Sequence, residues 1–195
     1  MMARALGLAG IALGASFATA APAGAVETLK VGLLAHNICI TNCKNADKED
    51  GPILDLQANF HSPALLHAVG APRPYLALSP NLSGDTSFAA AGLEWRWEFA
   101  DGWTLNPGLG YAIHDGEVKN KFPNGTAASA RFAAENVLYG SRDLFRTSIG
   151  LGRDVGEKWS VEGYYVHYSH GQILGNGRNQ GTDQAGVRLG YHFGK

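Results

Sequence analysis

The stretch Leu93-Glu94-Trp95-Arg96-Trp97-Glu98-Phe99 decides the fold, because large apolar and charged side chains alternate along it without a break. Successive side chains of a β-strand point to opposite faces, so the stretch predicts a strand with one apolar and one charged face. Residues 52–60 and 103–113 alternate in the same way, with apolar residues opposed by Asp, Gln, Asn, Thr and Gly. The chain is therefore predicted to consist of strands with one apolar and one polar face.

The same period of two predicts eight strands along the chain. They lie at about 28–36, 52–60, 73–80, 87–99, 103–113, 143–152, 158–169 and 183–193. The 26 glycines, and the Gly, Pro, Asn and Asp residues between the apolar runs, also favour a β protein. Such strands fit either a soluble sandwich or a membrane barrel, so their alternation alone leaves both open.

The charged faces favour the barrel. A sandwich turns its polar faces to water, whereas a small barrel turns them inward, where opposite charges must pair. The residues predicted to form such an internal set are Glu94, Arg96, Glu98, Glu162 and Arg188. The even strand count, the strand lengths and the Trp and Tyr residues near strand ends agree. We predict an all-β fold, an eight-stranded antiparallel transmembrane β-barrel of the outer-membrane type.

The N-terminus predicts export. Arg4 precedes an uncharged, mostly apolar run that ends in the small residues Ala23-Gly24-Ala25, as in a secretory signal peptide. We assign 1–25 to the signal peptide and 26–195 to a single barrel domain. The net charge of −1, with no basic cluster, gives no reason to expect nucleic acid as a partner.

With both termini in the periplasm, the connections fall into two kinds. The predicted outward loops are 37–51, 81–86, 114–142 and 170–182, and the predicted inward turns are 61–72, 100–102 and 153–157. Barrels of this type favour short inward turns. The turn at 61–72 is longer than that rule predicts.

Cys39 and Cys43 lie in the first outward loop. An exported chain meets an oxidising compartment, which favours a disulfide between them. Half of a metal site is the alternative, but His36 is the one further ligand close to them in sequence, and structural zinc sites normally need four.

Three polar residues in the last hairpin form a candidate catalytic site. His167 and Ser169 are separated by one residue on a strand, so their side chains point the same way, about 7 Å apart along the chain. Asp183 begins the returning strand, where a register that pairs it with His167 would bring its carboxylate to the imidazole. A nucleophile, a base and an orienting acid would then converge.

The alternation predicts that this group faces lipid. Asp183 has the parity of Val187 and Leu189, whereas Arg188 has the opposite parity. Polar side chains on a lipid-facing wall are costly unless they have a function there. A lipid of the outer leaflet is therefore the expected substrate.

The last hairpin combines His167-Tyr168-Ser169, Asn179-Gln180-Gly181-Thr182-Asp183 and the aromatic-rich strand 186–193. This order of motifs resembles the outer-membrane lipid A 3-O-deacylases and the related acyloxyacyl-hydrolase-like proteins. The resemblance implies that Ser169 is the nucleophile, His167 the base, Asp183 the orienting acid and Asn179 an oxyanion donor. The acid is Asp where the family commonly has Glu, and His170 stands where Asn is common.

The expected function is that of a serine esterase that removes an ester-linked acyl chain from lipid A of lipopolysaccharide. The resemblance implies the 3-O position. The chemistry needs no cofactor and no metal. The sequence leaves open a homodimer, and it leaves two other hypotheses: a non-enzymatic barrel for adhesion or envelope stability, and a soluble periplasmic lipocalin-like binder.

Overall fold

The structure is a computed structural model that describes residues 26–193. The predicted signal peptide at 1–25 and the tail at 194–195 lie outside the described residues. Within the described range the strands are β1 (Val26–Ala35), β2 (Pro52–Phe60), β3 (Arg73–Ser79), β4 (Phe88–Glu94), β5 (Trp97–Ala100), β6 (Trp103–His114), β7 (Asp143–Val155), β8 (Trp159–Ser169) and β9 (Thr182–His192). The connections carry an α-helix, α1 (Ala127–Glu135), and two 3-10 turns, Cys43–Asn45 and Ala64–Val69.

The sheet is antiparallel and closes on itself. β1 pairs with both β2 and β9, and the pairings continue around the two sides until β4 meets β6. β5 continues the line of β4 along the same neighbour, β6, so the two together make one wall strand. The result is the predicted closed eight-stranded barrel, in which closure leaves no free sheet edge.

The break between β4 and β5 corrects the prediction of one continuous strand over 87–99. The break faces Pro107, which has no N–H and so cannot donate a hydrogen bond to the neighbouring strand. The contact that is made is from the Trp95 N–H to the Pro107 carbonyl, at 2.9 Å. The Trp95 indole N–H donates to the carbonyl of Val69 at 2.9 Å. The long turn at 61–72, which is compacted by its 3-10 turn, therefore packs against the break.

The barrel interior is a network of buried charges. The Arg188 guanidinium, which is fully buried, lies 2.8 Å from Glu162 and 3.2 Å from Asp55. Lys30 Nζ bridges Glu94 at 2.7 Å and Glu162 at 3.1 Å. Because each charge has an oppositely charged neighbour, the set avoids the large cost of an isolated buried ion.

Two members of the predicted internal set do not join this network. Arg96 pairs with Asp154 at 2.7 Å, and the Glu98 side chain is 65% exposed. Arg96 therefore belongs to the short-turn end of the barrel, and Glu98 belongs to its surface. Glu94, Glu162 and Arg188 lie inside as predicted.

The outer wall is apolar. Side chains that point away from the network are large, hydrophobic and exposed, among them Leu33, Leu76, Leu109, Ile149, Leu151, Val187 and Leu189. Such a band is what a barrel presents to lipid. No helix among residues 26–193 is long and apolar enough to cross a membrane.

The end of the barrel that carries the connections 37–51, 81–86, 114–142 and 170–182, called the loop end below, is closed by aromatic packing. Phe88 stacks on Tyr168 with ring centroids 4.0 Å apart, and Tyr139 packs edge-on against Phe88. Tyr139 and the fully buried Val137 come from the connection 114–142, which also contains α1 and so is not the plain loop that was predicted. Tyr168 is thereby held from inside the barrel, between His167 and Ser169 in sequence.

A buried carboxylate joins three connections at this end. Glu49 accepts hydrogen bonds from the Val137 N–H at 2.9 Å and the Thr86 N–H at 3.4 Å, and its carboxylate lies 3.1 Å from the His36 ring. Burial favours the neutral acid, but these hydrogen bonds outweigh it and hold the pKa of Glu49 below its ordinary value. The loops are thus fastened to one another above the barrel interior.

Candidate active site

The last hairpin brings His167 and Asp183 together. In the register of β8 and β9, His167 lies directly opposite Asp183. His167 Nδ1 is 2.7 Å from Asp183 Oδ1. A neutral imidazole beside a carboxylate carries its proton on the near nitrogen, so Nδ1–H donates to Asp183 and the lone pair is on Nε2. That tautomer is the one a general base needs.

Asp183 is fully buried although it is the second residue of β9 and lies on the outward side. Its carboxylate accepts hydrogen bonds from the Tyr165 hydroxyl at 2.8 Å, the Thr41 hydroxyl at 2.8 Å, the Thr41 N–H at 2.5 Å and the Asn42 N–H at 3.1 Å. Donors of this number favour the ionised acid and fix its orientation. An Asp side chain is one methylene shorter than Glu, and the carboxylate of Asp183 still reaches the His167 imidazole.

Ser169 lies beside His167 on the same outward side of β8, and Gly181 faces this pair across the hairpin. A Cβ atom built on Gly181 would lie 3.0 Å from His167 Cε1 and 3.2 Å from Ser169 Cβ. Both atoms therefore border one small space, which Gly181 leaves empty because it has no side chain. Ser169 makes no side-chain hydrogen bond to any residue of the described range 26–193, so its hydroxyl is available.

Asn179 and His170 occupy the connection after Ser169. The Asn179 side-chain oxygen accepts from the N–H of His170, the residue after Ser169, at 3.2 Å. His170 Nδ1 accepts from the Gln172 N–H at 3.1 Å, so its Nε2–H donates to the Arg178 carbonyl at 3.0 Å. Both ring nitrogens of His170 are used in bracing the loop, and His170 is a structural residue here.

The apolar wall continues up to the site. Val161 on β8 and Val187 and Leu189 on β9 are 42%, 55% and 53% exposed on the outside, while Glu162 and Arg188 point into the interior network. The side chains of the hairpin that were predicted to face outward and inward do so in the structure. His167 and Ser169 therefore lie on the same outward side of the hairpin as this apolar wall.

Sequence reasoning missed Thr41 and Asn42, which lie in the connection 37–51. The structure joins Cys39 to Cys43 in a disulfide, and the residues between them reach Asp183. The cysteine spacing indicated a compact turn. Nothing in the sequence indicated that the turn folds over the start of β9.

A cavity of about 820 Å³ lies apart from this site, between α1 and the connection 170–182. Lys119 and Arg178 are among the residues that line it, whereas His167, Ser169 and Asp183 do not. The candidate active site is thus on the open outer wall.

Fold and site together define a class: a closed outer-membrane-type barrel that carries a polar, hydrolase-like cluster on its lipid-facing wall. The family model for PagL, lipid A 3-O-deacylase, matches residues 80–192, which is more than half of the chain. The chain belongs to this family. Family and fold place the protein in the bacterial outer membrane.

A solved structure agrees on the fold. The crystal structure of the outer membrane enzyme PagL is 15% identical with a TM-score of 0.58, over 84% of this chain and 97% of that chain. Two further structures are less similar: the outer membrane protein Ail of Yersinia pestis (8% identity, TM-score 0.47, 87% of this chain and 99% of that chain) and the de novo designed TMB2.3 (10%, 0.45, 89% and 100%). The search of curated proteins found no match.

Proposed function

We propose that the protein is a serine esterase of the outer membrane that removes the acyl chain ester-linked at the 3-O position of lipid A. Membership of the lipid A 3-O-deacylase family supports the substrate. The observation that carries the mechanism is the 2.7 Å contact between His167 and Asp183 on the lipid-facing wall, with Ser169 beside it on the same side. A buried carboxylate, an oriented imidazole and a free hydroxyl are the parts that serine ester hydrolysis requires.

The reaction begins when His167 Nε2 takes the proton of the Ser169 hydroxyl as the serine oxygen attacks the acyl carbonyl. Asp183 stabilises the imidazolium that forms, and it stays ionised itself. The tetrahedral intermediate then collapses with cleavage of the ester C–O bond. The sugar hydroxyl leaves with the proton from His167, and the acyl group remains on Ser169.

Water completes the cycle. His167 takes a proton from a water molecule that attacks the acyl-enzyme carbonyl, and the fatty acid leaves as Ser169 recovers its proton. The negative oxygen formed in both halves needs a donor close to Ser169. We assign this task to the Asn179 amide N–H₂ group, because the side-chain oxygen of Asn179 is bonded to the N–H of His170, the residue after Ser169.

The location of the site supports a lipid substrate. A hydrolase for a soluble ester has no need of catalytic groups on a lipid-facing wall, where polar side chains are costly. Lipid A in the outer leaflet can place its acyl chains along the exposed wall at Val161, Val187 and Leu189. The sugar then lies at the level of the loop end, where the ester meets Ser169.

The test is hydrolysis of purified lipid A by purified protein in detergent, followed by mass spectrometry of lipid A and of the released fatty acid. The wild type is expected to remove one hydroxyacyl chain, and Ser169→Ala is expected to remove none. Ser160→Ala is the matched control, because Ser160 lies on the same strand with its side chain buried inside the barrel. A wild type that releases no fatty acid would leave the hypothesis of a non-enzymatic barrel.

A further inference from the structure

The disulfide of the connection 37–51 closes a five-residue ring, Cys39-Ile40-Thr41-Asn42-Cys43, called the disulfide ring below. The ring lies against the start of β9. It is fastened there by the Ile38 N–H, which donates to the Asp183 carbonyl at 2.9 Å, and by the Asn42 side chain, which donates to the Gly181 carbonyl at 2.9 Å. The ring is thus held to the backbone of Gly181 and Asp183 by its own Asn42 side chain and by the residue just before it.

The ring supplies most of the hydrogen bonds that orient the catalytic acid. Asp183 Oδ2 accepts from the Thr41 N–H at 2.5 Å, the Asn42 N–H at 3.1 Å and the Thr41 hydroxyl at 3.0 Å, all of which belong to the ring. Oδ1 accepts from His167, from the Tyr165 hydroxyl and again from the Thr41 hydroxyl. With Oδ2 held by the ring, the carboxylate must turn Oδ1 towards the imidazole.

Thr41 also contacts the base. Its hydroxyl oxygen is 3.1 Å from His167 Nδ1, so it adjoins both partners of the acid–base pair. The hydroxyl has one proton, which it donates to Asp183. Its lone pairs then face the Nδ1–H of His167 and favour the same tautomer that Asp183 favours.

The effect of the disulfide between Cys39 and Cys43 is local. Two consecutive backbone N–H groups can meet one carboxylate oxygen only in a tightly turned segment, and ordering such a segment costs conformational entropy. A disulfide over so short a segment adds little to the stability of the whole chain compared with one that closes a long loop. What it does fix is the shape of the turn that contacts Asp183.

Resting on the proposed function, we infer that the disulfide ring is a positioning element of the catalytic acid: Thr41 is a positioning residue, and full activity requires the bond between Cys39 and Cys43. The ring lies outside residues 80–192, which the family model matches, so the device belongs to a part of the chain that the family match does not cover. Reduction by a dithiol transfers two electrons to the bond. It yields two protein thiols and the cyclic disulfide of the reductant, and it frees the turn.

The experiment measures kcat and KM for lipid A deacylation by the full mature chain in detergent. Thr41→Val removes the hydroxyl and keeps the shape, and we expect kcat to fall roughly 10-fold with little change in KM, since a hydrogen bond to a charged group is lost. Thr41→Ser restores the hydroxyl and is expected to recover most of the loss. Ile40→Ala is the matched control, because its side chain is in the same ring and 53% exposed.

The role of the bond is tested without refolding. Folded wild type treated with dithiothreitol, and the double variant Cys39→Ser/Cys43→Ser, are both expected to lose kcat more strongly than Thr41→Val does. The reductant should not affect the double variant further. Mobility of unboiled protein on gels monitors the barrel, which is expected to stay intact throughout.

Three results would overturn the inference: a reduced wild type that keeps its kcat, a Thr41→Ser variant as impaired as Thr41→Val, or an Ile40→Ala variant as impaired as either. Each of them leaves the proposed function standing if Ser169→Ala is still inactive. A wild type that releases no fatty acid overturns both proposals.

Discussion

Replacing Asp183 by alanine removes the acid while leaving Ser169 and His167 in place. In the proposed mechanism Asp183 has a single charged task, to hold the His167 tautomer and stabilise the imidazolium, through the 2.7 Å bond between Oδ1 and Nδ1. Loss of that geometry in a Ser-His-acid site lowers kcat by about 10⁴-fold, or about 5 kcal/mol of transition-state stabilisation. We expect a loss of this size for Asp183→Ala.

The same change also affects local stability. The backbone N–H groups of Thr41 and Asn42 donate to Asp183 and cannot turn elsewhere, whereas the Thr41 and Tyr165 hydroxyls can rotate. Thr41 is exposed and Asn42 is half-buried, so water can reach both N–H groups, and each loss costs less than the roughly 1–3 kcal/mol of a fully buried donor. Because the strand ladder does not depend on them, the expected result is opening of the connection 37–51 with the barrel intact.

Asp183→Glu distinguishes the effect of the carboxylate charge from the effect of the side-chain length. The carboxylate survives, but the extra methylene must enter a fully buried site, where overpacking costs about 1–3 kcal/mol. We expect kcat between those of the wild type and Asp183→Ala. A Glu variant no better than Ala would mean that the fit of the carboxylate to the disulfide ring matters as much as its charge.

Initial rates of fatty-acid release from lipid A measure these effects, with mobility of unboiled protein as the check on folding. Asp143→Ala is the control, since Asp143 also begins a strand at the loop end but bonds to the Tyr111 hydroxyl instead. An Asp183→Ala variant within tenfold of the wild-type kcat would refute the reasoning, because His167 would then act without this acid.

Three further outcomes are expected. His167→Ala should lower kcat about as much as Ser169→Ala, and the double variant should be scarcely slower, because the effects of substitutions within one catalytic unit are far from additive. A double variant whose initial rate falls by the product of the two single losses would contradict a shared role. Arg188→Met should lower barrel stability by about 3–5 kcal/mol, because three buried carboxylates each lose one of their positively charged partners; an unchanged urea midpoint in detergent would contradict this. The pKa of Glu49 is held below its ordinary value near 4.5, so its stabilising contribution is complete above that pH and lost as the pH falls through the lowered value. Hydrogen exchange at the Val137 N–H should accelerate there in the wild type, and Glu49→Gln should remove that pH dependence.

The strands could be predicted from the sequence because a lipid-facing wall imposes strict alternation. Each predicted strand agrees with the structure to within three residues at its ends, apart from the break after Glu94. That break comes from Pro107 on the neighbouring strand, a tertiary effect that alternation within one strand does not show. The sequence does contain a local indication of helix α1, which is an Ala-rich segment directly after Thr126. In the structure the Thr126 side chain caps the helix by accepting a hydrogen bond from the Ser129 N–H.

The predicted site residues depended on the hairpin, where sequence neighbours are also spatial neighbours. His167 and Asp183 could be paired because one register brings them opposite each other, and the structure has that register. Thr41 could not be found this way, since it lies 142 residues from Asp183 in sequence and reaches it only after closure of β1 against β9. Contacts made by closure of the barrel leave no periodic trace in either segment.

The filled interior and the exposed wall have a consequence for kinetics. Since Arg146, Arg188 and their partners fill the barrel, the substrate of the proposed reaction would reach Ser169 from the side, by lateral diffusion within the leaflet. The concentration that matters is then a surface density, counted per area of membrane and not per volume. In mixed micelles the deacylation rate should follow the mole fraction of lipid A and stay constant when micelles of fixed composition are diluted.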